Sequence, residues 1–381
     1  MVKLKKKLFL LGLASFFNDV ASEMIFPILP LFFSQVLGLN KSLIGLIEGV
    51  AEGLSSFLKV FSGWLSDKLR RRKIFLLYGY SIPFLTKSLL ALSVVWQHVL
   101  FFRILDRSAK GIRTSPRDAL ISQLSNIKSR GHYFGFHRMM DTLGAVVGGL
   151  ITFFLLYFVG ANYRFIFWVT MIPAFLSFLV IFLFLKEKNG AFLTRFKIKF
   201  SSFSPKYKKF IFVSFLFSIA NFSYAFIILR TSDLGVASLI IPLMYFVYNL
   251  ASAASSYFFG TLSDKFGRLP LIFLGYLLFS FVCFGFIFTN KGIFLWFLFA
   301  LYGVALAIIE TVPSAYIGDL VEEHKRGTAY GIYFTVLGFG VLISNILIGL
   351  LWDKFSYVFS FSFGAFLALF SAFLLFIFFR K

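Results

Sequence analysis

The sequence predicts an all-α membrane protein with twelve transmembrane helices in two pseudo-symmetric bundles of six. Three observations lead to this prediction. Of the 381 residues, 59% are hydrophobic and only 14% are charged, and the mean hydropathy is +0.87. Long apolar runs recur from end to end, and segments of the first half reappear in the second. A soluble domain needs a charged surface, so this composition excludes the soluble class.

The apolar runs define the predicted helices, because about 20 mainly apolar residues cross a bilayer. The predicted spans are 8–37, 42–62, 74–96, 98–120, 134–158, 163–185, 209–230, 237–258, 270–289, 293–317, 328–352 and 357–379. Residues 1–185 therefore form an N-terminal bundle and 209–381 a C-terminal bundle, joined by a basic cytoplasmic linker over 186–208.

The net charge of +22 is spread over the ends of the apolar runs. A nucleic-acid-binding protein concentrates its cations on one patch, so we expect no nucleic-acid partner. Motifs typical of phosphate-binding, zinc-dependent or serine hydrolases do not occur, which predicts a protein that is not an enzyme and has no cofactor and no metal. The only cysteine, Cys283, excludes an internal disulfide.

Positive charge also predicts the orientation, because cytoplasmic loops carry an excess of Lys and Arg. With the N-terminus inside, most cations lie in the tails and inside loops. The predicted outside loops hold only Lys41, Arg164, Arg230, Lys291 and Lys354. We expect a multi-pass protein of the inner (cytoplasmic) membrane, surrounded by the lipid bilayer, with both termini cytoplasmic.

Three short segments repeat between the halves at an offset of 196 or 197 residues. The matched pairs are 63–68 with 260–265, 114–116 with 311–313, and 130–131 with 326–327. Three matches in register over this distance indicate an internal duplication. Duplicated helical units are typical of secondary transporters, which bind substrate between the repeats near the membrane midplane.

The first of these repeats carries a family resemblance. The segment from Gly63 to Arg72 resembles the signature loop between helices 2 and 3 of the major facilitator superfamily, which has Gly at the position of Arg70. The second copy keeps that glycine as Gly267. The residues that carry the motif are Gly63, Asp67, Lys68, Arg71, Gly260, Asp264, Lys265 and Arg268.

Two further motifs lie in helices 4 and 5. Arg107 and Gly111 resemble the second motif of the superfamily, and Gly144 with Gly148 resembles the glycine-rich motif of exporters, without its proline. Residues 106–118 resemble those of bacterial and archaeal efflux permeases. The resemblance covers the whole chain. It implies the major facilitator fold and a monomeric antiporter that works by alternating access, with protons and a small-molecule substrate as partners.

Ionisable residues in a bilayer cost about 2.5–3.5 kcal/mol each and are therefore functional candidates. Helix 1 presents Ser15, Asn18, Asp19, Ser22 and Glu23 within an arc of about 140°. The proton-coupling candidates are Asp19, Glu23 and, on helix 10, Glu310. The alternative is that Asn18 and Asp19 only form hydrogen bonds with a neighbouring helix.

Helix 4 has the most charge. Its residues Arg103, Asp106, Arg107, Lys110, Arg113, Arg117 and Asp118 also fit an arc of about 140°, which indicates a polar lumen or a partner helix. The substrate-cavity candidates are Asn18, Arg107, Lys110, Arg113 and Asn221. For Arg117 and Asp118, near the cytoplasmic end, a gating role is favoured over substrate contact.

Other buried polar groups lie on helices 2, 3 and 5. We predict that Glu48, Glu52, Lys59, Lys87, Arg138 and Asp141 form buried structural or coupling pairs, and Glu52 with Lys87 is a candidate for a purely structural pair. In the C-terminal half, the main buried polar groups are expected to be Asn221, Asn249 and Glu310. Glu310 occupies the repeat position of Arg113.

The loop motif predicts a gate. We expect Asp67 to approach the N-terminal end of helix 11, whose dipole favours an anion, and Asp264 to approach helix 5 in the same way. Arg71 is expected to pair with Asp118. The alternative is that the basic loop residues only fix the orientation.

Three functions remain open from the sequence. The favoured one is proton-coupled efflux of small organic solutes. An importer or exchanger of organic anions is the alternative, because Lys110 and Arg113 lie deep in helix 4. A non-transporting membrane sensor is third, since such proteins usually append a soluble domain and the sequence shows none.

Overall fold

A computed structural model describes residues 2–69, 71–124, 130–185, 203–290, 292–321 and 326–379. Every regular element within these ranges is helical. A helix satisfies its backbone hydrogen bonds within one segment, which is why long apolar runs become helices in lipid.

The first half supplies helices α1 to α6. They are α1 (Val2–Ile25, continued by Leu29–Leu31 and the π-helical Phe32–Val36), α2 (Lys41–Leu69), α3 (Lys73–Leu89, then the 3₁₀ turn Leu90–Leu92), α4 (Trp96–Leu124), α5 (Arg130–Val159) and α6 (Tyr163–Val169 and Met171–Phe184).

The second half supplies helices α7 to α12. They are α7 (Pro205–Ala220 and Tyr224–Asp233), α8 (Ile241–Phe266), α9 (Arg268–Phe288), α10 (Gly292–Leu320), α11 (Arg326–Lys354) and α12 (Tyr357–Phe379). Each predicted span falls on one of these helices, so the predicted twelve-helix fold is confirmed for the described ranges. By length and composition, nine of the described helices are apolar enough to cross a membrane.

The chain divides into two compact units, Met1–Leu37 with Leu54–Arg195 and Gly38–Gly53 with Phe196–Lys381. We call them the N-terminal and the C-terminal unit. Residues 41–53 of α2 thus cluster with the C-terminal unit. The sequence-based division at 185 and 209 stays a prediction, and residues 186–202 of the predicted linker lie outside the described ranges.

The two units repeat the same helix pairings. In the N-terminal unit α1 packs on α5 and α6, and α3 packs on α4 and α6. In the C-terminal unit α7 packs on α11 and α12, and α9 packs on α10 and α12. Because each pair maps onto its counterpart six helices later, the packing agrees with the duplication seen in the sequence.

Helices α1 and α7 are both interrupted. Pro27 has no amide hydrogen to donate and is incompatible with a continuous helix, so α1 stops at Ile25 and restarts at Leu29. Helix α7 stops at Ala220 and restarts at Tyr224, where the Ser223 hydroxyl caps the second segment by accepting from Ala225 N at 3.2 Å.

Candidate functional site

The polar residues predicted on helix 1 lie together on α1. Ser15, Asn18 and Ser22 are buried, and Asp19 and Glu23 are partly buried. The Asn18 amide donates to Asp19 Oδ1 at 3.1 Å, and the Ser22 hydroxyl donates to Asn18 O at 3.0 Å. Local hydrogen bonds therefore fix the orientation of these side chains along the helix.

Glycines bring α5 very close to this polar face. A Cβ atom on Gly144 would lie 2.5 Å from the Phe16 carbonyl oxygen and 3.1 Å from Asp19 Cβ. A Cβ atom on Gly148 would lie 3.0 Å from Glu23 Cβ. The glycine pattern that resembles the exporters' motif thus permits α1 and α5 to touch at the two predicted proton-binding carboxylates.

A buried ion pair connects α3 and α4 to α1. Lys87 Nζ lies 3.8 Å from Asp106 Oδ1 and donates to Ser22 Oγ at 2.7 Å. Arg103 Nη1 lies 3.9 Å from the other carboxylate oxygen of Asp106. Lys87 therefore has partners on α4 and α1, and its predicted pairing with Glu52 stays a prediction.

Two arginines of α4 stack on aromatic rings. The guanidinium of Arg107 lies 4.7 Å from the ring centre of Phe26, at the break of α1. Arg113 lies 4.9 Å from the ring centre of Tyr80 and donates to Gly79 O at 2.8 Å. A ring face attracts a cation most strongly away from water, so these contacts help to stabilise two buried charges.

Toward the N-terminal end of α5, two more acids join the network. Arg117 Nε lies 3.0 Å from Asp118 Oδ1, and its Nη1 donates to Ser15 Oγ at 3.2 Å. His137 Nδ1 lies 3.4 Å from Asp141 Oδ2. Asp118 thus pairs with its neighbour Arg117, while Arg71 is exposed. The predicted Arg71–Asp118 pair stays a prediction.

These residues form one electrostatic network in the N-terminal unit. Lys110, Arg113 and Asp141 act on the charge of Asp19, and Arg117 acts on that of Asp141. We call this set the charged cluster; its members are Asp19, Lys87, Arg103, Asp106, Arg107, Lys110, Arg113, Arg117, Asp118, His137 and Asp141. The structure thus brings together predicted residues from α1, α3, α4 and α5.

Two of the predicted buried residues are exposed, which corrects the sequence analysis. Arg138 follows the buried His137 and points about 100° away from the face that packs on α1. Glu310 likewise follows the buried Ile309 and is exposed. Among the other predicted pair-forming residues, Glu48 is buried, and Glu52 and Lys59 are partly buried.

The C-terminal unit contains buried polar groups that sequence reasoning missed. Asn345 is 1% exposed; its Oδ1 accepts from Ser223 N at 2.8 Å at the break of α7. Arg230, which was predicted to lie in an outside loop, is buried because α7 continues to Asp233. Its guanidinium stacks on Tyr357 at 3.5 Å. The isolated asparagine in the apolar α11 was a signal available in the sequence, whereas the depth of Arg230 was not.

The predicted cavity residue Asn221 lies at this break and is partly buried, as is Asn249 on α8. Asn221 has φ −84° and ψ 90°, which is outside the helical region. The Asn249 amide donates to Tyr245 O at 3.0 Å within its own helix. The two predicted amides of this unit are thus only partly buried, whereas Asn345 and Arg230, which sequence reasoning missed, are buried.

The duplicated loop motif has matching geometry in the two units. A Cβ atom on Gly63 would lie 3.1 Å from Ser115 of α4, and one on Gly260 would lie 3.6 Å from Thr311 of α10. Gly267 has φ 90°, a value that favours glycine and explains why this copy keeps it. Arg268 Nε pairs with Asp319 at 3.0 Å, and Lys265 is exposed. The side chains of Asp67, Lys68 and Asp264 lie outside the described part of the structure.

The sequence matches the family model of the Major Facilitator Superfamily over residues 11–228 and 210–381. The chain belongs to the Major Facilitator Superfamily. Among relatives of this family, an uncharacterized MFS-type transporter of Methanocaldococcus jannaschii is 38% identical over 383 residues, which cover 98% of this chain and 95% of the relative. It follows that the chain is a multi-pass membrane transporter and not an enzyme.

Two further comparisons bear on the family assignment. The multidrug resistance protein MdtH of Photorhabdus laumondii is 26% identical over 144 residues, 38% of this chain and 35% of that protein. The crystal structure of the nucleoside transporter NupG matches with a TM-score of 0.75 at 14% identity, over 97% of this chain and 98% of that one. The structural match shows the superfamily fold alone.

The first residues of α2 are held by the C-terminal unit of this superfamily member. Lys41 N and Ser42 N donate to the two carboxylate oxygens of Asp353 at 3.0 and 2.6 Å, and Lys41 Nζ lies 3.6 Å from Asp233. A Cβ atom on Gly45 would collide with the Asn345 carbonyl oxygen. A carboxylate from α11 thus caps the N-terminus of α2, where the helix dipole favours negative charge.

Proposed function

We propose that this transporter exports small organic solutes by proton-coupled alternating access, with Asp19 as the carboxylate that binds the proton. The observation that carries the proposal is the position of Asp19 in the charged cluster. Lys110 and Arg113 attract its negative charge and Asp141 repels it. A Cβ atom on Gly144 would lie 3.1 Å from Asp19 Cβ, so Asp19 lies on the face of α1 that packs on α5 inside the N-terminal unit.

This mixture of charges makes the protonation of Asp19 sensitive to small movements. Two unit charges about 4 Å apart interact by about 4 kcal/mol at the effective dielectric of a protein. One pKa unit corresponds to about 1.4 kcal/mol. A shift of α1 against α4 or α5 during the transport cycle therefore changes proton occupancy by orders of magnitude, which is the requirement for coupling.

Export and orientation are supported by the sequence. The multidrug resistance protein MdtH is similar to 38% of this chain, and the glycines of α5 follow the exporters' pattern without its proline. The excess of Lys and Arg in one set of loops supports cytoplasmic termini in the inner membrane.

Transport of organic anions is the second candidate. In the charged cluster, the cations Lys87, Arg103, Arg107, Lys110, Arg113 and Arg117 outnumber the carboxylates Asp19, Asp106, Asp118 and Asp141. A thermal-shift screen of the purified protein with anionic, neutral and cationic solutes at two pH values separates the candidates. Stabilisation by anions alone favours the second one.

The test of proton coupling uses Asp19→Asn in proteoliposomes, with a substrate found in that screen. We expect uphill transport driven by a pH gradient to be abolished and downhill exchange to be kept, because asparagine preserves the hydrogen bonding but cannot carry a proton. Glu23→Gln is the matched control, since Glu23 lies one turn further along α1 and meets α5 at Gly148 as Asp19 does at Gly144. Its effect should be milder.

Continued accumulation of substrate by the Asp19→Asn protein would show that Asp19 only forms hydrogen bonds. Glu310→Gln is then the next variant, although the exposed position of Glu310 makes it the weaker candidate. If neither substitution changes uphill transport, protons do not drive this protein.

A further inference from the structure

We infer that Asp141 and His137 form a proton relay that connects Asp19 to the N-terminal end of α5. This inference rests on the proposed function and adds the route by which the proton reaches or leaves its binding carboxylate. Three observations support it: the register of α5 on α1, the contact between the two side chains, and two buried polar atoms without a hydrogen-bond partner among the described residues.

The register comes from the contacts between α1 and α5. Gly12 meets Phe136, Asp19 meets Gly144 and Glu23 meets Gly148, so the two helices run in the same direction. Asp141 and His137 are three and seven residues before Gly144, or about 4.5 and 10.5 Å along the axis at about 1.5 Å per residue. Spacings of four and three residues place them on the same stripe of α5 as Gly144.

The two side chains are in contact, and both have an atom available for proton transfer. Asp141 Oδ2 lies 3.4 Å from His137 Nδ1. Asp141 Oδ1 and His137 Nε2 are buried without a hydrogen-bond partner among the described residues. His137 is only 5% exposed. Buried polar atoms are normally paired, so these two are suited to hold a proton or a water in transit.

Charged and polar groups from every neighbouring helix face this pair. They are Asp19 and Ser15 from α1, Tyr80 from α3 and Arg117 from α4, whereas the exposed Arg138 of α5 points away from the pair. Arg117 also holds Asp118 at 3.0 Å, so its charge is shared between two carboxylates. Arg117 therefore acts on the charge of Asp141, while its close ion pair among the described contacts is with Asp118.

The proposed step conserves atoms and charge. The proton leaves the Asp19 carboxyl group, binds the Asp141 carboxylate and passes from Oδ2 to Nδ1 of neutral His137. The imidazolium then releases a proton from Nε2 to water at the N-terminal end of α5, and the sequence runs in reverse for uptake. Histidine suits this position because one ring nitrogen can accept a proton while the other releases one.

The test compares His137→Gln and Asp141→Asn with Asp19→Asn in proteoliposomes, using the substrate found above. We expect both relay variants to lose about 100-fold in the rate of pH-driven uphill transport, the scale of a lost proton-transfer group, and to keep downhill exchange. Arg138→Gln is the matched control, since Arg138 is the next residue and is exposed.

Each result has a distinct meaning. If Asp19→Asn abolishes uphill transport while both relay variants and the control behave as wild type, the relay is wrong and the proposed function stands. If Asp19→Asn leaves pH-driven uphill transport unchanged, the proposed role of Asp19 is wrong, and the relay that depends on it is wrong as well. Downhill exchange and the melting temperature of each preparation report folding. Should His137→Gln fail to fold, the near-isosteric Asp141→Asn variant tests the relay by itself.

Discussion

The breaks in α1 and α7 occupy equivalent positions in the two halves, yet their surroundings differ. An offset of 197 residues relates Phe26 to Ser223. At the α1 break, Arg107 and Arg103 lie over the Phe26 ring at 4.7 and 5.8 Å. At the α7 break, Asn345 accepts from Ser223 N. Two arginines therefore lie at the break in α1, whereas the amide side chain of Asn345 lies at the break in α7.

The aromatic packing extends this contrast. The Phe222 ring beside the α7 break has its centre 5.2 Å from Phe361 and 5.8 Å from Phe279. In α1, the Thr152 hydroxyl donates to Met24 O at 2.8 Å, which satisfies a carbonyl near Pro27. Both breaks are thus hydrogen-bonded by the fifth helix of their own unit. The duplicated architecture is retained in both units, whereas the charged cluster occurs in the N-terminal unit.

The largest expected effect on stability is at the charged cluster of the N-terminal unit. Asp106→Asn should destabilise the protein by about 3–5 kcal/mol, because it leaves buried cations without their carboxylate. Lys87 and Asp106 have side chains only 2% and 8% exposed. Asp233→Asn is the control: that carboxylate is 41% exposed in its pair with Lys41, so its loss should cost less than about 1 kcal/mol. Melting in detergent measures both, and equal shifts would show that the charged cluster is well hydrated.

A smaller effect on stability is expected at Asn345, whose amide lies at the break in α7. Asn345→Leu should cost about 2 kcal/mol, because Ser223 N, which is partly buried beside α11, loses its acceptor. Asn249→Leu is the matched substitution, since the Asn249 side chain donates only within its own helix among the described contacts, and it should cost less. Unfolding of the two variants side by side checks this order. The reverse order would mean that the α7 break is stabilised by its phenylalanines.

The smallest effect concerns the start of α2. Asp353→Ala removes the carboxylate that caps Lys41 N and Ser42 N and should cost about 1 kcal/mol. Asn162→Ala removes a cap within the N-terminal unit, where Asn162 Oδ1 accepts from Phe165 N at 3.1 Å. Hydrogen exchange should accelerate at 41–42 in the first variant and at 165 in the second. Unchanged exchange at 41–42 would show that the glycine contacts alone hold this end of α2.

The sequence predicted the spans because a bilayer imposes a length and a polarity on each helix. It also predicted which faces of α1 and α4 are polar, since a helix repeats about every 3.6 residues. The exposed Arg138 and Glu310 were placed wrongly, because polarity inside an apolar run does not reveal which face packs. Arg230 was misplaced because a break without proline, at 221–223, let α7 extend further than its apolar run suggested.

Composition, periodicity and the repeat offset by themselves determined that this chain is a duplicated helical membrane protein, because those features follow from transfer free energies along a single chain. Only the tertiary structure decided the partners. It paired Lys87 with Asp106 and placed Phe26 and Tyr80 against arginines. It also aligned His137, Asp141 and Asp19 along the contact between α1 and α5. Such pairings depend on how helices far apart in sequence approach one another, and that approach is set by close packing at residues such as Gly144.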